Sequence, residues 1–108
     1  MTSSEKIKII DNICKTKYGL IFSTLPSSYI TYWNLNICDS PLVSYDTYYD
    51  RLKLATYVLF TDKGTLIFCL MTNKKLEDFE TSLDTLMKSY KEKLIQNKIS
   101  NLNKDFEV

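Results

Sequence analysis

Two apolar runs joined by a four-residue turn, followed at once by a long amphipathic segment, restrict the fold of this chain more than any other feature. Residues 52–60 and 65–72 are rich in β-branched and aromatic side chains. Thr61-Asp62-Lys63-Gly64 lies between them, with a glycine where a hairpin turn calls for positive φ. From about residue 75 to 98, Leu76, Phe79, Leu83, Leu86, Tyr90 and Leu94 recur at intervals of three and four, with Met87 and Ile95 widening the stripe. Glu77, Asp78 and Glu80 open that helix and Lys91, Lys93 and Lys98 close it, which matches its dipole. Asp84 and Lys88 add an (i, i+4) pair. One apolar stripe needs a sheet to cover it, so hairpin and helix are expected to pack together.

The first half supplies the remaining elements. Residues 3–16 read as a short helix: Ser3 or Ser4 caps it, and Ile7, Ile10 and Cys14 share a face with Ile9 and Ile13 beside them. A strand through Lys6-Ile7-Lys8-Ile9-Ile10 competes with that reading, and Tyr18-Gly19 ends the element either way. Residues 20–25 read as a buried-type strand closed by a turn at Pro26-Ser27-Ser28. Residues 29–37 alternate, with Tyr29, Thr31, Trp33, Leu35 and Ile37 on one face and Ile30, Tyr32, Asn34 and Asn36 on the other. Residues 38–50 hold the breaker Pro41 and a crowd of Tyr and Asp, and read as a surface loop with at most one helical turn. Residues 100–108 are polar and are expected to fray, with Phe106 a candidate to dock.

The expectation is therefore a single α+β domain over residues 1–108. An antiparallel sheet of about four strands carries the N-terminal helix and the long C-terminal helix on one face. A chain of 108 residues, 44% of them apolar, can build one core and has no room for a second. The longest apolar run, residues 65–71, is too short to span a bilayer.

Charge and chemistry narrow the function. The formal net charge is +1, and Arg51 is the single arginine among 14 basic residues. Arginine is the side chain suited to bidentate phosphate and base recognition, so nucleic acid is a disfavoured partner. Histidine is absent, which removes the commonest general base and metal ligand, and no metal or other cofactor is expected. Gly19 and Gly64 each have a turn to make, so no glycine-rich phosphate loop exists. Asp46 and Asp50 are best read as solvated acids, not as a catalytic pair. Cys14, Cys38 and Cys69 stand far apart, and their odd number argues against a disulfide framework. Cys69 reads as a buried thiol. Cys38 is the most exposed thiol candidate but lacks an activating base. With an odd cysteine count, no signal peptide, no N-x-S/T acceptor and no run long enough to span a bilayer, the cytoplasm is the expected compartment.

The aromatic residues are the better lead. Tyr29, Tyr32, Trp33, Tyr45, Tyr48, Tyr49 and Tyr57 are many for one small core to hide, and tyrosine suits interfaces because it joins apolar area to a polar tip. The plainer alternative is that most of them half-bury along the sheet edge and loop. The candidate partner-binding residues are Trp33, Tyr45, Tyr48 and Tyr49. Lysines at 15/17, 74/75 and 88/91/93 read as solvated faces.

The segment from Asp50 to Tyr90, DRLKLATYVLFTDKGTLIFCLMTNKKLEDFETSLDTLMKSY, resembles the closing hairpin and long helix of longin-type domains, sedlin-like subunits of TRAPP tethering complexes among them. The opening order of helix then strands resembles roadblock domains, and also the small Alu-binding proteins of the signal recognition particle. Longin domains open on a hairpin, and roadblock domains have a second helix where this chain has residues 38–50. The resemblance implies a small scaffolding fold and a non-catalytic subunit of an intracellular assembly, with itself or another protein as partner. RNA binding and the blocking of a host factor by a viral or parasite protein are the alternatives.

Overall fold

The computed structural model describes the chain except residues 25–28, 37–39 and 107–108, and it describes the helical backbone but not the side chains of residues 98–106. Helix α1 (Ser3–Tyr18) leads into β1 (Ile21–Thr24), β2 (Ile30–Asn34), β3 (Val43–Asp46), β4 (Arg51–Phe60) and β5 (Leu66–Asn73), and α2 (Leu76–Phe106) follows. The five strands form one antiparallel sheet in the order β1-β2-β3-β4-β5.

The competition between helix and strand at the N-terminus resolves in favour of helix. The Thr2 hydroxyl caps α1 by accepting the Glu5 N–H, one residue before the serines expected to do so. Gly19 closes it at φ 61°, donating its N–H to Lys15 while Leu20 donates to Cys14. The left-handed φ makes glycine the natural residue there.

Strand pairing follows the sequence alternation. In β2, Thr31 and Trp33 are buried while Ile30, Tyr32 and Asn34 are half-exposed. Register carries the buried face outward, because Trp33 opposes Val43, Val43 opposes Leu54, and Val58 opposes Phe68. Both helices cover this face. Ile10 and Cys14 of α1, and Phe79, Leu83, Leu86, Met87 and Tyr90 of α2, are buried in one cluster with Trp33, Tyr45, Leu54 and Val58. Full burial stabilises each such apolar side chain by about 1.5–3 kcal/mol, so α2 is the largest single contributor to the core. Lys17 joins the helices directly, lying 2.8 Å from Glu80 and 3.0 Å from Asp84.

Three expectations need correction. The strand count is five, because residues 43–46 of the expected loop form β3. Strand β1 is not buried: all four of its residues are exposed at the sheet edge. The backbone of α2 stays helical to Phe106, eight residues beyond the expected end at 98, and so covers most of the segment expected to fray. At 1.5 Å per residue, 31 residues make α2 about 46 Å long, more than either shorter dimension of the 58 × 28 × 22 Å molecule. The turn at 26–28 and the strand position of Ile37 lie outside the described residues.

Candidate functional site

The turn between β3 and β4 is built by its own side chains. Asp46, the last residue of β3, accepts the N–H groups of Tyr48 and Tyr49 on one carboxylate oxygen at 2.9 and 3.1 Å. Thr47 donates its N–H and its hydroxyl to the carbonyl of Tyr29, at 2.9 and 3.0 Å. Asp50 turns the chain into β4 with φ 52°, a left-handed conformation that Asp tolerates better than most residues. These bonds use short polar side chains as local backbone partners, which is why an Asp- and Thr-bearing stretch holds a fixed turn.

The fixed turn displays a tyrosine cluster. The Tyr29 and Tyr48 rings lie 5.4 Å apart, and Tyr48 meets Tyr49 edge-on at 4.8 Å. The Arg51 guanidinium stands 5.1 Å from the Tyr49 ring centre, in cation–π range. Tyr29, Tyr48 and Tyr49 are 64%, 67% and 62% exposed. Three rings linked through Tyr48 and open to solvent are pre-ordered, so little further entropy is lost when a partner covers them.

Beneath the cluster, the Asp50 carboxylate receives both the Lys6 ammonium, at 2.8 Å to each oxygen, and the Tyr45 hydroxyl. Hydrogen bonds from Lys6 and then Tyr45 hold the Asp50 carboxyl below its ordinary range, and the bond to Asp50 raises Lys6 in return. Burial, and then the same carboxylate, push the Tyr45 phenol upward. The network ties the turn to α1 and leaves Asp50 with no role to spare as a base. What the cluster offers is aromatic area, phenol hydroxyls and one guanidinium, which is contact chemistry.

The structure divides the four residues expected to contact a partner. Tyr48 and Tyr49 are on the surface. Trp33 and Tyr45 are 0% and 1% exposed and belong to the core, which corrects the expectation for both. Trp33 points inward because it alternates with its strand neighbours, and its indole N–H donates to Asp11 of α1 at 3.0 Å. Tyr45 points inward because β3 turns it onto the helix-covered face, and it supports the cluster from below. Tyr29 and Arg51 are cluster members outside the expected contact set. Tyr29, one of the tyrosines noted as too many for the core, precedes β2, and Arg51 opens β4 directly after the turn.

Two other features complete the surface. A cleft of about 620 Å³ lies where α1, β4 and the start of α2 meet, lined by Lys6, Ile10, Tyr45, Asp50, Lys74 and Lys75 among others. Three of its polar groups, Lys6, Asp50 and Tyr45, are already bonded to one another. On the uncovered sheet face, the partly exposed Leu59 and Ile67 sit opposite each other, and the partly exposed Tyr57 sits opposite Cys69. The basic strand residues described on that face are Arg51 and Lys53.

Among the described residues, no group of three His, Cys, Asp or Glu side chains is placed to hold a metal ion. Burial pushes the Cys14 thiol up to about 12, the opposite of nucleophile activation. Cys69 is half-buried, in place of the buried site expected, and Cys38 lies outside the described residues. No described helix is long and apolar enough to cross a membrane. Comparison with protein-family models, with curated proteins and with solved structures finds no match to this chain.

Proposed function

We propose that this chain is a non-catalytic interaction subunit of a larger intracellular assembly and that the Tyr29–Tyr48–Tyr49–Arg51 cluster is its docking surface for a protein. The observation that carries the reading is the ordered exposure of the three rings on a turn locked by Asp46, Thr47 and Asp50. Tyrosine and arginine are the residue types on which interface energy concentrates. The longin-type resemblance of residues 50–90 adds a role in vesicle traffic, in the cytoplasm, to the same proposal. RNA contact draws less support, since a basic sheet face is its requirement and Arg51 and Lys53 are what the described strands place there.

The test is affinity capture from the native lysate with the wild-type chain and with a Tyr48→Ser, Tyr49→Ser variant, both checked for folding by circular dichroism. A stoichiometric protein partner should be retained by the wild type. It should bind the variant roughly thirtyfold more weakly, the equivalent of about 2 kcal/mol for an interface anchor. A partner held equally well by both chains would overturn the docking surface. Capture of structured RNA alone, in a salt-sensitive manner, would overturn the protein-partner reading.

A further inference from the structure

The sheet face that the helices leave uncovered holds a buried hydroxyl with nothing bonded to it. Ser44 alternates in β3 with Val43 and Tyr45, which enter the core, so its side chain lies on the other face. Register sets it between Tyr32 of β2 and Lys53 of β4, and it is only 9% exposed. Among the described residues none bonds the Ser44 hydroxyl, and no fully enclosed side-chain polar atom lacks a partner, so this hydroxyl keeps an opening. A buried polar group is ordinarily bonded, and one left free marks a place that water or a ligand fills.

The opening is a pocket of about 250 Å³. Two rows of side chains run across the strands to line it, Tyr32–Ser44–Lys53 and Ile30–Asp46–Arg51. Asp46 and Arg51 oppose each other in the ladder, yet neither they nor Lys53 take part in a described ion pair. Asp46 is committed instead to the N–H groups of Tyr48 and Tyr49. The contact of Arg51 with the Tyr49 ring uses its charge and leaves its N–H donors free. Two cations and two hydroxyls thus converge on one small space with no acceptor of their own.

We propose that this pocket binds a small monocarboxylate, held by Lys53, Arg51 and the Ser44 hydroxyl. Charge selects the class. Two cations and one anion leave the lining with one positive charge in excess, which a single carboxylate neutralises. A phosphate dianion would set surplus negative charge against Asp46. Ile30 and Met71, with Pro41, give apolar wall for a short hydrocarbon stem. At about 30 Å³ for each water-sized group, the pocket has room for roughly eight, which suits a short-chain acid. Arg51 is common to this pocket and the tyrosine cluster, but the proposal holds whatever docks on the tyrosines.

The probe is propionate, titrated at neutral pH and constant ionic strength into nitrogen-15-labelled full-length chain and followed by amide chemical shifts. Saturable shifts should centre on Ser44, Asp46, Arg51 and Lys53. Propionamide, of the same shape without the charge, should produce none. Lys53→Met should weaken binding at least about tenfold and Ser44→Ala roughly three- to tenfold, the losses expected for a charged and a neutral hydrogen bond. Lys53→Arg should retain binding, and Lys88→Met on the opposite side of the sheet should leave it unchanged. The same spectra report whether each variant is folded, and the comparison of propionate with propionamide on wild type decides the charge requirement without any variant. Shifts that never saturate, or that spread evenly over the surface lysines, would overturn the proposal. So would propionamide binding as well as propionate, inorganic phosphate binding more tightly than propionate, or a folded Lys53→Met chain that binds like wild type.

Discussion

The indole N–H of Trp33 donates to the Asp11 carboxylate at 3.0 Å and so fastens β2 to α1 through a fully buried ring. Asp11 also meets Lys15 one turn along the helix at 3.1 Å, but a surface (i, i+4) pair contributes little. The cost of losing Asp11 is therefore the cost of an indole N–H left unpaired inside the core. Asp11→Ala is expected to lower stability by about 1–3 kcal/mol, read from the urea midpoint at constant slope. In a Trp33→Phe background the same substitution should cost much less, since no donor remains to be stranded. Equal costs in the two backgrounds would show that the bond does not carry the effect.

Elements written in spacing were legible, and elements written in long-range contacts were not. The three-four stripe of α2 and the two runs around Gly64 gave helix and hairpin because each pattern is local. Strand β3 escaped because Val43–Asp46 is four residues long, follows Pro41 and is buried on both faces, so it shows no alternation to read. That omission hid the direction of Tyr45. The alternation that marks β2 already placed Trp33 with Thr31, and the burial of that face follows from the two helices, which no single residue announces. Tyr48 and Tyr49 stand exposed because turn residues leave the sheet plane, a reading open to any Asp-rich turn between strands.

Acid should unfasten the two helices. The Asp84 carboxylate accepts the Tyr18 hydroxyl at 2.6 Å and the Lys17 ammonium at 3.0 Å, and those bonds hold its pKa below the ordinary value. Asp50 is lowered in the same way by Lys6 and Tyr45. A carboxyl with a depressed folded pKa stabilises the fold above its unfolded value, about 3.9, and that contribution fades as pH falls through the folded value. Urea midpoints should thus decline below about pH 4, and Asp84→Asn should make that decline shallower. An unchanged acid profile in the Asn variant would exclude the Tyr18–Asp84–Lys17 link as its source.

At high pH the same link works in reverse. Burial, and then the bond to Asp84, push the Tyr18 phenol up to about 12. A raised folded pKa means stability fully present below the unfolded value, about 10, and lost as pH rises through the folded one. Tyr18→Phe should flatten the stability profile between about pH 10 and 12, and ultraviolet titration should show one late-ionising phenol fewer in the variant than in wild type, where Tyr45 is also raised. A profile that keeps its slope in the variant would place the alkaline transition elsewhere.

Cys14 should behave as an inert thiol. It is buried among core residues, and desolvation, with some repulsion from Asp11, pushes its thiol up to about 12. The thiolate is the reacting species, so a native chain at neutral pH presents almost none at this position. Iodoacetamide labelling followed by peptide mapping should leave Cys14 unmodified in buffer and modify it in denaturant. Rapid native labelling would mean that α1 opens readily, since access to Cys14 requires α1 to leave the sheet.

Leu70 sits in β5 with φ 57°, a left-handed conformation that costs an ordinary side chain roughly 1–2 kcal/mol. Its backbone carbonyl accepts the Thr56 hydroxyl at 2.7 Å, which holds the kink in place. The side chain is 63% exposed, so its removal gives up little burial. Glycine adopts this φ freely, but it also adds about 0.5–1 kcal/mol of entropy loss on folding. The strain relieved is at least as large as that loss, so Leu70→Gly should be neutral or stabilising by up to about 1 kcal/mol in thermal or urea unfolding. Leu59→Gly, at a β4 position with an ordinary strand φ, has no strain to release and should destabilise by at least about 1 kcal/mol. If Leu70→Gly costs as much as Leu59→Gly, the Leu70 backbone is not strained in solution and the Thr56 hydrogen bond does not hold it there.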